Sequence, residues 1–205
     1  MIALPRLYAI ADAQFGNPVE IADRLFEGGA RLLQIRNKTA GAGALLHQVE
    51  DILRFAPADA VVLVNDRADV AQLAKAHGVH LGQDDLRIED ARALVGASFM
   101  VGFSTHNVQQ AVAADRLPID YIAVGPIFHT SSKENPDPVL GIERLAQICR
   151  SVRKPVVAIG GITLDQASAV FNAGAASIAV IGDLLRFQDL VERTRLWVRH
   201  STCPV

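Results

Sequence analysis

Val61 to Asp85 reads VVLVNDRADVAQLAKAHGVHLGQDD, and its interpretation decides the fold. The run Val61-Val62-Leu63-Val64 is apolar on both faces, the pattern of a strand buried on both sides. It stops at Asn65-Asp66. A short helix is expected from Ala68 to Ala76, with Val70, Leu73 and Ala74 at helical spacing. Gly78 then turns the chain into a second strand, Val79 to Leu81, which ends at Gly82-Gln83-Asp84-Asp85. Two successive strands thus end in carboxylates, and in a parallel sheet both ends lie on one rim. Asp66 and one of Asp84 or Asp85 meet there, where a hard cation such as Mg²⁺ could be held. The plainer alternative is that these aspartates cap the helices that follow.

The same strand–loop–helix unit recurs outward in both directions. Upstream, Leu7–Ile10 and Arg31–Ile35 are expected strands, and Pro18–Glu27 and Ala42–Phe55 are expected helices. Pro18 suits a first helical turn, and Gly28-Gly29 suits an end. Downstream, strands are expected at Phe99–Phe103, Tyr121–Val124, Pro155–Ile159 and Ser177–Val180. Helices are expected at Glu89–Leu94, at Asn107–Ala114 with Asn107 as cap, at Ile142–Val152, at Thr163–Asn172, and in segments running to His200. Eight such units predict a (β/α)₈ barrel that spans residues 1–205 as one domain. A doubly wound open sheet fits less well, because the strands recur evenly and no linker or repeat interrupts them.

Of the 205 residues, 50% are hydrophobic and 20% charged, and the formal net charge is −2. This composition supports one sizeable core. It offers no basic cluster for nucleic acid or an anionic membrane, and aromatics at 5% are too few for base-stacking platforms. Cys149 and Cys203 have no metal-ligand spacing and read as free thiols of a reducing compartment. No apolar run is long enough to span a bilayer, and MIALPRLYAI lacks the order of a signal peptide, so a cytoplasmic location is expected.

The strand ends of a barrel form its functional rim. Collected there are Gln34, Arg36, Lys38, Asn65, Asp66, Asp84, Asp85, Ser104, Thr130 to Lys133, Gly160, Gly161, Ile181 and Gly182. The set has cations, acids, hydroxyls and backbone amides, but no nucleophile–base pair. It suits an anionic, phosphorylated substrate. Gly160-Gly161 and Ile181-Gly182 follow strands seven and eight, where glycine turns expose amides to a phosphate; the alternative is that they only turn the chain. Thr130-Ser131-Ser132-Lys133 could form a second phosphate clamp or a solvated loop tip. Arg36 and Lys38 alternate on a strand end and are expected on one side, with an anion between them. His80 and His106 read as structural, whereas His129 lies where a substrate could reach it.

Taken together, QIRNK (34–38), NDRADVA (65–71), GVHLGQDDL (78–86), GFSTHN (102–107), GPIFHTSSKENPDPVLG (125–141) and VAIGGIT (157–163) resemble the thiamine phosphate synthase family in order and over nearly the whole chain. The resemblance implies a barrel that joins a hydroxymethylpyrimidine diphosphate to a thiazole phosphate, giving thiamine phosphate and diphosphate. By motif, Gln34, Arg36, Lys38, Asn65, Ser104 and Lys133 would hold the pyrimidine diphosphate. Arg36, Lys38, Ser104 and Lys133 would be its catalytic groups, and Asp66 and Asp85 would bind Mg²⁺. Thr130, Ser131, Ser132, Gly161, Ile181 and Gly182 would hold the thiazole phosphate. The implied mechanism is dissociative, with diphosphate leaving before the thiazole nitrogen attacks.

Four positions depart from the pattern: Asn37 for an acid, Ser132 for a threonine, Ala11 for a threonine and Gly182 for a serine. Two other readings compete. In the related thiazole tautomerases the Asn-Asp pair and the Gly-Gln-x-Asp turn are altered and a histidine works as acid/base; here both motifs are intact. A non-catalytic phosphate-binding barrel would leave the carboxylates and cations without a purpose.

Overall fold

Eight parallel strands close into a barrel in sequence order, β1 beside β8. The computed structural model describes residues 4–130 and 137–202. The strands are β1 (Leu7–Asp12), β2 (Leu32–Arg36), β3 (Val61–Asn65), β4 (Gly78–Leu81), β5 (Met100–Thr105), β6 (Tyr121–Val124), β7 (Val156–Ile159) and β8 (Ser177–Val180). Helices α1 (Pro18–Glu27), α2 (Ala42–Phe55), α3 (Ala68–Ala74), α4 (Ile88–Val95), α5 (Val108–Ala114), α6 (Gly141–Ser151), α7 (Ala167–Asn172), α8 (Gly182–Leu185) and α9 (Leu190–Thr202) complete the chain. The expected eight-unit barrel is the observed one.

Local chemistry explains most boundaries. Asn17 accepts from the Val19 N–H ahead of Pro18, and Asn107 accepts from the Gln110 N–H, so both helices start at capped positions. The α1 stripe Ile21, Ala22, Leu25 and Phe26 and the α2 stripe Leu45, Val49 and Ile52 are buried against the strands. Two expected helices are shorter than their periodicity suggests. The first, α3, stops at Ala74 because Lys75 adopts a left-handed conformation with φ of 56°. In the segment from Thr163, a reciprocal Thr163–Gln166 cap tightens Leu164–Gln166 into a 3₁₀ turn, and the α-helix begins only at Ala167. Conversely, β1 continues to Asp12, whose pairing with Arg36 of β2 extends the ladder.

Strand parity divides the core in two. Leu33, Ile35, Val62, Val64, Val79, Leu81, Ile122 and Val124 face the helices, whereas Tyr8, Ile10, Leu32, Leu63, Tyr121, Ala123, Val157 and Ala179 fill the barrel. The departure at Ala11 belongs to the outer layer, packed among helix-facing residues, and so lies away from the rim cavity. Inside, the ring of Tyr121 lies against β5 at Gly102. A Cβ there would stand 2.0 Å from Tyr121 Cζ.

Gly102→Ala should therefore force the Tyr121 ring or the β5 backbone aside, costing about 1–3 kcal/mol. Denaturant unfolding measures this, and an unchanged midpoint would mean that the interior has slack.

Candidate active site

The expected rim residues that are described do converge. A cavity of about 910 Å³ opens at the carboxyl ends of the strands and is lined by Gln34, Arg36, Lys38, Asn65, Asp66, Asp85, Ser104, Thr130, Gly161, Ile181 and Gly182, among others. Ser131, Ser132 and Lys133 lie outside the described residues. Tyr8, Ile10, Ala123, Val157 and Ala179 also line the cavity, so it reaches down into the barrel.

Of the two acids after β4, Asp84 is exposed and Asp85 half-buried. Asp85 Oδ2 accepts from the Gly82 N–H at 2.7 Å, which turns its carboxyl inward. Asp66 meets it from β3. The backbone at Asp66 is left-handed, with φ of 63°, a region that aspartate tolerates better than most residues. Its N–H donates to the His80 carbonyl at 2.8 Å, and the Arg67 N–H donates to the Asn65 carbonyl at 2.8 Å. These bonds hold the turn. The Asp85 carboxyl is pushed above the ordinary carboxylate range, first by burial and further by the Asp66 carboxyl; the Gly82 N–H and Lys38 oppose the shift. Neither acid acts as a side-chain cap, since α3 and α4 start without one.

Among the described residues no group of three or more His, Cys, Asp or Glu gathers to hold a metal. Two facing carboxylates, with Asp66 raising the proton affinity of Asp85, do fit Mg²⁺, which commonly takes one or two protein carboxylates and fills its remaining positions with phosphate oxygens and water.

The cations are arranged differently from the expectation. Arg36 Nη1 pairs with the buried Asp12 at 2.6 Å, while Lys38 Nζ pairs with Asp66 at 3.1 Å. Each has its own carboxylate, so no anion is needed between them. Asp12 was not among the expected site residues, and its signal was its place at the end of β1 beside β2. Asn37 organises the loop between the cations: its Oδ1 accepts from the Thr39 and Ala40 N–H groups, and its Nδ2 donates to Gln48.

Gly160 and Gly161 have a steric role in the loop packing. Both are left-handed, with φ of 99° and 67°. A Cβ on Gly160 would lie 2.6 Å from Pro126 Cα, and one on Gly161 would lie 2.2 Å from the His129 carbonyl oxygen. The Ile127 and Phe128 N–H groups donate to the Ile159 and Gly160 carbonyls, both at 2.9 Å. These glycines are therefore required for the close approach of the loop after β6. By contrast, Gly182 is the first residue of α8.

The histidines separate clearly. His106 Nδ1 donates to the Gly125 carbonyl at 2.8 Å and faces Asp137 at 3.4 Å, a structural contact. His129 is exposed at the cavity edge. His80 is buried as expected, and burial pushes its imidazole down to about 4. It lies within a run of polar side chains, Gln34, Tyr8, Tyr121, His80 and Ser104, each hydrogen-bonded to the next. Burial raises both phenols well above their ordinary range, so they remain hydroxyls. The two tyrosines were missed by the sequence reading. Strand parity was the available signal, because Tyr8 and Tyr121 share the inward positions with Gln34 and Ser104.

The carboxylate pair has a measurable signature. Asp85 holds its proton more tightly in the folded than in the unfolded chain, so its contribution to stability is full below about 3.8 and is lost as pH rises through the raised folded value. Asp66→Asn removes the opposing charge and keeps a side chain that tolerates the left-handed backbone. It should lower the Asp85 pKa and shrink that loss. A carboxyl ¹³C titration of Asp85 in both proteins checks it, and an unchanged Asp85 pKa would show that the two groups do not interact.

The chain matches a family model described as thiamine monophosphate synthase over residues 7–184. It is 49% identical over 191 residues to the thiamine-phosphate synthase of Koribacter versatilis, covering 90% of each chain. It is 47% identical to the thiamine-phosphate synthase of Anaeromyxobacter dehalogenans over 89% of this chain and 82% of the relative. Among solved structures, thiamine phosphate pyrophosphorylase from Pyrococcus furiosus superposes with a TM-score of 0.88 at 33% identity, covering 96% and 95% of the two chains. With rim, cavity and motifs in register over nine-tenths of its length, the chain belongs to the thiamine monophosphate synthase family.

Proposed function

We propose that this protein is a thiamine phosphate synthase, transferring the pyrimidinylmethyl group of a hydroxymethylpyrimidine diphosphate to the nitrogen of a thiazole phosphate. The observation that carries the reading is the juxtaposition, at one rim, of an opposed carboxylate pair, Asp66 and Asp85, with Arg36 and Lys38, above a cavity that continues into the barrel. The names of the relatives support the same activity.

In this reading Asp66 and Asp85 would hold Mg²⁺, whose chemistry there would be to neutralise diphosphate charge. Lys38 pairs with Asp66 at 3.1 Å and is 56% exposed, so it can swing to a phosphate oxygen at small desolvation cost. Arg36 is fixed by Asp12 and keeps further N–H donors for the same anion. Asn65, Ser104 and Lys133 complete the diphosphate site, and Gln34 reads the ring deeper in the barrel. The thiazole phosphate lies toward Thr130, Ser131, Ser132, Gly161, Ile181 and Gly182. None of these groups needs to remove a proton from carbon. The C–O bond breaks with its electron pair on diphosphate, and the thiazole nitrogen closes the new C–N bond with its own lone pair. Fixed charges that grip the leaving group more tightly as its charge grows suit this order of events. We place the enzyme in the cytoplasm.

Incubating the purified protein with both substrates and Mg²⁺ should yield thiamine phosphate and diphosphate. Chelation with EDTA should abolish turnover, and Asp66→Asn or Asp85→Asn should lower kcat by orders of magnitude. Full activity in EDTA would sink the metal assignment, and no product in the complete mixture would sink the reaction.

The glycine at 182 supplies a second test. It begins a helix, so serine can take its backbone conformation, and a hydroxyl there could add one hydrogen bond to a phosphate. Such a bond to a charged group is worth at most about 1.5–3 kcal/mol, and competing water reduces that at an open rim. Gly182→Ser should tighten thiazole phosphate severalfold and leave pyrimidine diphosphate affinity unchanged. Equal weakening of both would move the phosphate site away from α8.

A further inference from the structure

The polar run inside the barrel has a direction. Gln34 Nε2 lies 2.6 Å from Tyr8 Oη, the Tyr8 and Tyr121 hydroxyls are 3.0 Å apart, Tyr121 Oη is 2.8 Å from His80 Nδ1, and His80 Nε2 is 2.9 Å from Ser104 Oγ. Gln34, Tyr8, Tyr121 and His80 are all buried, and the imidazole stacks on the Tyr121 ring with centroids 5.7 Å apart. Gln34, Tyr8 and His80 form part of the cavity floor, where these groups satisfy one another, and no buried side-chain nitrogen or oxygen among the described residues lacks a partner.

An amide nitrogen can only donate, so Tyr8 accepts from Gln34. In the arrangement where each hydroxyl donates and accepts once within the run, the hydrogen of Tyr8 goes to Tyr121 and that of Tyr121 goes to His80 Nδ1. With Nδ1 an acceptor, the imidazole carries its hydrogen on Nε2 and gives it to Ser104 Oγ. The hydrogen of Ser104 is left outside the chain, on the side of the cavity that Ser104 lines.

We propose that Tyr8, Tyr121 and His80 are positioning residues that fix the Nε2–H tautomer of His80 and thereby make the Ser104 hydroxyl a standing donor to the departing diphosphate. This rests on the reaction proposed above. With the opposite direction, Ser104 would give its hydrogen to His80 and turn lone pairs toward an oxygen that is gaining charge. No proton changes hands. The electron pair of the breaking C–O bond stays on diphosphate, the thiazole lone pair forms the C–N bond, and the chain only orients a dipole that is worth more in the transition state than before it.

Two measurements test this in the full-length protein. Nitrogen-15 NMR of histidine-labelled wild type should find His80 neutral, with hydrogen on Nε2 and a bare Nδ1; the Nδ1–H form overturns the proposal. In steady-state assays His80→Leu should lower kcat roughly ten- to one-hundred-fold, the loss of one hydrogen bond to a charged group, with little change in KM for the pyrimidine diphosphate. His80→Gln, which can present an amide N–H near the Nε2 position, should recover most of that loss. Equal kcat in the two variants, or a loss that resides in KM, overturns the positioning role. A wild type that forms no thiamine phosphate overturns the reaction and with it the target of Ser104, whereas an active wild type with the wrong tautomer overturns the chain alone.

Discussion

A polar group buried inside a barrel must be satisfied by its neighbours there, and this constraint shapes the molecule more than any other. In most barrels of this kind the interior is filled by branched aliphatic side chains. Here Leu32, Leu63, Val157 and Ile10 do so in part, while Tyr8, Gln34, His80 and Tyr121 form a polar seam among them. The seam persists because every member finds its partner within 3.0 Å. Small residues make it possible. Gly102 gives the Tyr121 ring its place, and Ala123 and Ala179 leave the space that becomes the lower end of the cavity.

Above the seam, the rim stores electrostatic tension. Burial and the Asp66 carboxyl raise the cost of charging Asp85, and Lys38 offsets part of that cost from a half-exposed position. Arg36 is the contrasting case, anchored to a carboxylate that is 1% exposed and so held ready at one orientation. A fixed cation and a movable one on the same strand end divide the work of receiving an anion. In the proposed reaction the first would set where the anion lies, and the second would release a carboxylate as it arrives.

How much of this was legible in the sequence depends on the range of the interaction. Apolar strand runs, Pro18 in a first turn and the Asn107 cap are local, and they placed all eight strands and their helices to within a few residues. Parity along one strand is also local, so the convergence of Gln34, Ser104 and Asp66 at one rim could be read once the barrel was inferred. Which side chain pairs with which on another strand could not. Nothing near Arg36 announces that Asp12, 24 residues earlier, takes its charge, and nothing near His80 announces Tyr121, 41 residues later. The glycines show the same limit. Gly160 and Gly161 could be read as a turn, but their steric role depends on Pro126 and His129, which reach them only through the fold.

The loop after β6 leaves and rejoins the barrel at nearly one point. Pro126 and Ile127 receive the Leu140 and Gly141 N–H groups at 2.9 and 3.1 Å, while Ile127 and Phe128 are themselves tied to β7. With both feet fastened to the scaffold, the number of residues between them has little leverage on the strands. Doubling the length of a flexible loop costs only about 0.6 kcal/mol of closure entropy. The number of residues between those feet can therefore change without disturbing the register of β6 and β7. That makes this loop the natural place for related barrels to diverge in what they accept while keeping the carboxylate rim intact.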